Sequence, residues 1–249
     1  MQTPGGKLHS TAWTALVGGL VLTALAGGMS ASAAAPTPVA NWQLNEPSGA
    51  TVMADASGNG ITGTISRDAA SQGLTTGAGG YHWTVISPTA PPTKPARVVR
   101  VNDPRLNPGT RDWAISFRYR TTKPYGNIMQ KGQATTIGGQ IKFQLPKGQI
   151  SCMFRGQTSR RSVKSVMAYN DNAWHTVRCE RTATKLTLTV DGGSPVGGET
   201  RSITGASGNL SNTSPFVIGG KANCDQITVT CDYFTGDIDW ITVDSSENS

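Results

Sequence analysis

The stretch Trp174–Gly193, WHTVRCERTATKLTLTVDGG, constrains the fold more than any other part of the chain. In Lys185–Asp191 the apolar Leu186, Leu188 and Val190 alternate with Thr187, Thr189 and Asp191. A strand points successive side chains to opposite faces, so this run has one buried face and one wet face. Trp174–Arg181 does the same, with Val177 and Cys179 set against Thr176, Arg178 and Glu180. Asp191-Gly192 then closes the second run with a tight-turn dipeptide. The pattern is a half-buried antiparallel scaffold, and nothing in it points to catalysis.

The period of two recurs along the chain. Val39–Asn45 and Ile61–Ile65 read as strands, and from Arg97 onward short alternating runs follow at regular spacing, separated by Gly and Pro turns. In Trp113–Arg120 the inward set is Trp113, Ile115, Phe117 and Tyr119, and the outward set includes Arg118 and Arg120. Gln140–Leu145 buries Ile141, Phe143 and Leu145 and exposes Lys142 and Gln144. Such a series predicts an all-β fold, a two-sheet antiparallel jelly-roll sandwich. The last strand, Phe234–Val243, breaks parity: Phe234 and Ile238 share one face, Ile241 and Val243 the other. A β-bulge at Asp239-Trp240 reconciles them and re-aims Asp239.

The first residues differ in kind. Lys7 and His9 precede the apolar run Ala12–Ala26 and then Ala31-Ser32-Ala33. A basic start, a short apolar middle and an A-x-A end predict a secretory signal peptide over residues 1–33. The run is Gly-rich and shorter than the ~20 residues a bilayer span needs, which argues against an anchor. Residues 34–249 are then one domain, exported and without a membrane span. Removing Lys7 takes the formal net charge from +7 to +6. That moderate excess suits an anionic surface or polymer. No helix or aromatic–basic motif of a nucleic-acid reader is present.

Four cysteines, Cys152, Cys179, Cys224 and Cys231, follow the signal. In an exported chain an even set reads as two disulfides, with three pairings open. The strand around Cys152 is expected beside the Trp174 strand, which favours Cys152–Cys179 and leaves Cys224–Cys231 to close a short loop. Zinc is the competing use, but there is no C-x-x-C pair.

These landmarks together resemble the laminin-G-like, concanavalin A-like lectin/glucanase superfamily. The residues that carry the resemblance are Trp42–Glu46 with Gly49, and Asp55-Ala56-Ser57-Gly58-Asn59-Gly60 with Gly63. Trp113–Tyr119, Trp174-His175 with Val177, and Leu188 with Val190-Asp191-Gly192 continue it. Val217-Ile218-Gly219 and Phe234, Gly236, Ile238-Asp239 complete it. The resemblance implies a jelly-roll that binds carbohydrate or protein, often with one calcium. Calcium takes six to eight hard oxygens. The resemblance and the oxygen-rich loop make Glu46, Asp55, Asn59 and Asp239 the expected metal ligands, joining the two ends of the chain.

Hydrolysis is the family's other chemistry. A retaining glycosidase needs two carboxyls about 5–5.5 Å apart, and here only Asp237-Ile238-Asp239 and Asp244 gather, at the chain end. His82 and His175 have no nucleophile elbow near them. A basic face is the third constellation: Arg118, Arg120, Lys142, Arg155 and Arg178, with Arg160, Arg161 and Lys164. If their strands are neighbours, these project from one sheet face, and guanidinium forks suit carboxylates, sulfates and phosphates. Tyr81, Trp83, Tyr125, Tyr169, Tyr233 and Trp240 are the candidate stacking residues, with Trp240 standing where the family pattern is usually polar. The expected ligand-binding set is therefore Arg118, Arg120, Lys142, Arg178 and Trp240. The expected function is a secreted, monomeric, non-catalytic binding module for extracellular carbohydrate. The alternatives are an interaction protein that meets a protein or anionic cell-surface polymer through the basic face, and a glycan-cleaving enzyme.

Overall fold

The computed structural model describes Met1–Gln2 and residues 37–66, 73–85, 97–222 and 233–246. The chain divides into two units, Met1–Ala33 and Ala34–Ser249, and the architecture below is that of the second. Its early strands are β1 (Thr37–Trp42), β2 (Val52–Met53), β3 (Gly63–Ser66), β4 (Leu74–Thr75), β5 (Tyr81–Trp83) and β6 (Val98–Val101). The middle ones are β7 (Asp112–Arg120), β8 (Asn127–Lys131), β9 (Gln140–Gln144), β10 (Ser151–Arg155) and β11 (Arg160–Lys164). Then come β12 (His175–Arg181), β13 (Lys185–Val190), β14 (Glu199–Thr204), β15 (Phe216–Ile218) and β16 (Gly236–Ser246).

These strands form two eight-stranded antiparallel sheets. The first runs β14-β13-β12-β7-β16-β5-β4, with β1 also on β16. The second runs β11-β10-β9-β8-β15-β6-β3-β2. The β12–β13 hairpin pairs Val177 with Val190 and Cys179 with Leu188. Its alternation sends those four side chains and Leu186 into the core, where all are buried. The turn after β13 needs Gly192 and Gly193 at φ 68° and 70°, a region costly for residues with a Cβ.

Aromatic rings and one disulfide join the sheets. Phe117 on β7 meets Phe143 on β9 edge-on, with centroids 5.2 Å apart. Trp42 on β1 meets Phe216 on β15 at 5.9 Å. Such pairs add about 0.5–1.5 kcal/mol beyond the area they bury. Cys152 on β10 bonds to Cys179 on β12, with a Cα separation of 6.4 Å. Cys224 and Cys231 lie outside the described residues. The expected bulge in β16 is present: register passes from Ile238↔Tyr119 to Ile241↔Phe117, so Asp239 and Trp240 together face Arg118. Among the described residues no helix is long and apolar enough to cross a membrane.

The Cys152–Cys179 bond closes a loop of 27 residues. In the chain-entropy picture that constrains the unfolded state by about 3.5 kcal/mol. Urea denaturation of the double variant Cys152→Ala, Cys179→Ala is therefore expected to show a loss of about 3–4 kcal/mol, with the folded circular-dichroism spectrum retained. A loss below about 1 kcal/mol would mean that aromatic packing alone holds the two sheets together.

Candidate functional site

Each of the residues expected to hold calcium is already engaged. Asp55 Oδ1 accepts the amides of Asn41 and Ser57, both at 2.9 Å. Its Oδ2 accepts the Ile61 amide at 2.9 Å and the Ser57 hydroxyl at 2.8 Å. Burial alone would raise this carboxyl, but the amide and hydroxyl donors outweigh it and hold it below the ordinary 3.8. Glu46 Oε1 accepts the Ala54 amide at 2.6 Å, and its Oε2 accepts the Tyr81 hydroxyl. The Asn59 amide nitrogen donates to the carbonyls of Pro38 and Val39, each at 3.0 Å. Asp239 pairs with Arg118 at 3.0 Å. Among the described residues no cluster of three or more His, Cys, Asp or Glu is placed to hold a metal ion. The oxygens of the expected quartet therefore fold loops and pair with arginine in this structure.

Three residues of the expected basic face stand together. Arg118, Arg120 and Arg178 do stand on the outer side of one sheet, because β7 and β12 are neighbours there. Each, however, meets acids. Arg120 Nε donates to Asp237 at 2.7 Å, and Asp237 also meets His82 Nδ1 at 2.7 Å. Arg178 meets Asp244 at 3.2 Å and Glu180 at 3.0 Å. The guanidiniums of Arg118 and Arg120 lie over the Trp174 ring, 4.7 and 4.9 Å from its centroid. This face is a charge-balanced ladder. Trp240 sits half-buried in the bulge. His175 is clamped on both ring nitrogens, by Asp191 at 2.7 Å and Asp171 at 2.9 Å, and serves packing.

Lys142 belongs to the other sheet. Sequence parity sets which way a side chain points but not which sheet carries it, and β8 to β11 form one end of the second sheet. Their outward side chains make a grid. One row is Gln140, Arg155 and Arg160; the next is Gln130, Lys142, Met153 and Ser162. The grid floors a groove of about 370 Å³, with Gln144, Gln133, Ala134 and Lys221 at its sides. The loop after β8 forms one wall. Its Gly138 and Gly139 have φ of 86° and 111°, and a Cβ on Gly139 would run into the Arg155 carbonyl. Hydrogen bonds hold the lining in place: Gln130 Nε2 donates to the Gly132 carbonyl at 2.7 Å. Arg155 Nη2 donates to the carbonyls of Gln133 and Thr136, both at 2.9 Å. The signal for this site was in the sequence, as the polar parity of Gln140, Lys142 and Gln144, but nothing there joined it to Arg155 and Arg160.

Comparison with known proteins adds four likenesses. Residues 119–246 match the family model described as the laminin G domain. Neurexin 1 of Drosophila melanogaster is 28% identical over 90 residues, 36% of this chain and 5% of that protein, so the chain spans a small part of that relative. Among solved structures, domain 4 of AbnA, a GH43 extracellular arabinanase from Geobacillus stearothermophilus, in complex with arabinotriose, is similar with a TM-score of 0.55. It is 12% identical, over 86% of this chain and 95% of that one. The botulinum neurotoxin serotype D binding domain has a TM-score of 0.53 and 15% identity, over 86% of this chain and 48% of that one.

The engagement of Asp55 generates a prediction. Asp55→Ala removes four hydrogen bonds to one carboxylate and is expected to cost about 3 kcal/mol, with water satisfying part of what is lost. Because the folded carboxyl is held low, this contribution is fully present above the unfolded value near 3.8 and is lost as pH falls through the lower folded value. Thermal melts are expected to give the same loss in EDTA and in millimolar calcium. A loss seen in calcium but not in EDTA would return Asp55 to the role of metal ligand.

Proposed function

Because this chain belongs to the laminin G domain family, a family of extracellular binding modules, we propose that it is a secreted module whose ligand is a carbohydrate seated in the groove over β8 to β11. The observation that carries this is the lining itself. Four glutamine side chains, Ser162 and basic side chains line one depression. A primary amide offers donors and an acceptor together, which suits the paired hydroxyls of a sugar. The bonds that fix Gln130 and Arg155 to neighbouring carbonyls order these groups before a ligand arrives, so less entropy is lost on binding. The volume falls at the lower end of small-ligand sites, about 300–1,000 Å³. A domain of the same fold is in complex with arabinotriose, which supports a sugar as the class of ligand.

The alternative, a protein or anionic polymer held on the Arg118, Arg120 and Arg178 face, has less support, because those arginines are already paired with acids. Laminin G domains often bind calcium, and in this chain Glu46, Asp55, Asn59 and Asp239 are not where we would place it. Secretion rests on the signal-like start, with Lys7 and His9 before the apolar run and the Ala31-Ser32-Ala33 box after it. We take the module to be monomeric.

Two measurements test the reading. Amino-terminal sequencing of protein recovered from the culture medium is expected to start at Ala34. Retention on a panel of immobilised polysaccharides is expected for at least one polymer. Gln144→Ala with Ser162→Ala should weaken it about tenfold, two hydrogen bonds at roughly 0.5–1.5 kcal/mol each, with the melting temperature unchanged. If no polysaccharide is retained, the carbohydrate reading falls.

A further inference from the structure

A second cavity, of about 320 Å³, opens where β5, β7 and β16 end on the first sheet. A chain of three polar side chains crosses it. Asp237 on β16 meets His82 Nδ1 with one oxygen and accepts Arg120 Nε with the other, each at 2.7 Å. A carboxylate only accepts, so Nδ1 carries the ring hydrogen, and Nε2 of the neutral imidazole is then a bare acceptor. The His82 side chain is half exposed, and its Nε2 has no partner among the described residues. Asp237 occupies only the Nε of Arg120. The two terminal nitrogens of that guanidinium are unpartnered among the described residues. Stacking on Trp174, 4.9 Å from the ring centroid, holds the fork in place. Lys123 lines the same cavity and has no ion pair among the described residues. β4, the other neighbour of β5, sets the uncharged Thr75 opposite His82.

We propose that this cavity binds a small phosphate monoester, with the terminal nitrogens of Arg120 and the Lys123 ammonium on its oxygens and His82 Nε2 accepting the one proton it carries. The groove over β8 to β11 lies on the other sheet, so this site and the carbohydrate reading stand or fall separately. Charge and proton count select the ligand. Arg120 and Lys123 against Asp237 leave the described lining with one positive charge. A phosphate monoester has its second ionisation at about pH 6, so near neutrality it takes back a proton at little cost. It then enters as a monoanion that balances the lining, and the proton lies between a phosphate oxygen and Nε2. Inorganic sulfate stays a dianion and has no proton to share, so its oxygen would set a lone pair against the one on Nε2. A carboxylate near neutrality brings no proton either. The fork of Arg120 and the point charge of Lys123 are both suited to phosphate oxygens. Thr122 and Asn172 at the rim offer hydrogen bonds to the rest of the ester. The volume is at the low end of small-ligand sites, about 300–1,000 Å³, which suits a small ester.

Titration calorimetry on the full folded chain, at about pH 7.5 where the free ester is a dianion, compares glycerol 3-phosphate with inorganic sulfate and with glycerol. The phosphate is expected to bind at least about tenfold more tightly than either, the effect of one or more charge-assisted hydrogen bonds. Repeat titrations in buffers of different ionisation enthalpy are expected to show a proton taken up with it. His82→Ala is expected to abolish that uptake and to weaken the phosphate about tenfold, with sulfate binding left as it was. Lys123→Ala is expected to weaken the phosphate about tenfold as well. Lys185→Ala, which removes the same charge from an exposed position on β13, is expected to leave it unchanged. His82 is half exposed and Lys123 exposed, so their variants should keep the wild-type melting temperature. If sulfate binds as tightly as the phosphate, or no proton is taken up, the role of His82 is overturned. If Lys185→Ala weakens binding as much as Lys123→Ala, attraction is to net charge and the cavity is overturned as the site. If glycerol 3-phosphate does not bind, the proposal falls, whatever the polysaccharide panel retains.

Discussion

The first sheet is laid on β16. One side of it pairs with β7, while the other takes β5 along Gly236–Ile238 and β1 along Ile241–Ser245. A regular strand would put Ile238 and Ile241 on opposite faces. The two residues set against Arg118 restore the parity, so that Ile238, Ile241 and Val243 are all buried. The same irregularity keeps Asp237, Asp239 and Asp244 all on the outer side, each against an arginine. One extra residue therefore decides both the packing beneath the sheet and the electrostatics above it. It also fixes the start of the chain, because Trp42 reaches the core only through the register Trp42↔Ile241.

Much of this was legible in the sequence, since burial on one face of a strand leaves a period of two. The hairpin β12–β13, the inward set of β7 and the bulge in β16 all follow from alternation alone. What alternation does not mark is lost. β14 reads Glu199–Thr204, ETRSIT, and lies exposed at the sheet edge, so it has no apolar face to show. β2 and β4 have two residues each, too short for any period. The calcium expectation rested on a different signal. An Asp-Ser-Gly-Asn-Gly loop shows how many oxygens are present, not whether backbone amides have already taken them. In Asp55 they have, and the carboxylate works as the organising acceptor of its own loop.

The groove illustrates the same limit from the other direction. Its floor follows from parity, because Gln140, Lys142, Met153, Arg155, Arg160 and Ser162 all oppose core residues on their strands. Its wall does not. The loop after β8 turns back over the grid only because Gly138 and Gly139 adopt positive φ and pass close to the carbonyls of Ser211 and Arg155. Four strands that the sequence shows as separate runs become one surface through pairing, and pairing is not written in any one of them.

Net charge is the last quantity that the fold reinterprets. A formal +7 says only that cations outnumber acids. Had the excess been spread evenly, both outer faces would draw anions weakly. The first sheet instead gathers Asp237, Asp239, Asp244 and Glu180 around Arg118, Arg120 and Arg178 and neutralises those three. Acids used there are not available to the other sheet, so its described groove is lined by basic residues without an acid among them. A local surplus at close range acts far more strongly than the same charge diluted over a surface, since exposed charges beyond roughly 8 Å are screened at physiological salt. The ion-paired ladder on one face thus sharpens the basic character of the other, and the separation of the two is set by which strands share a sheet.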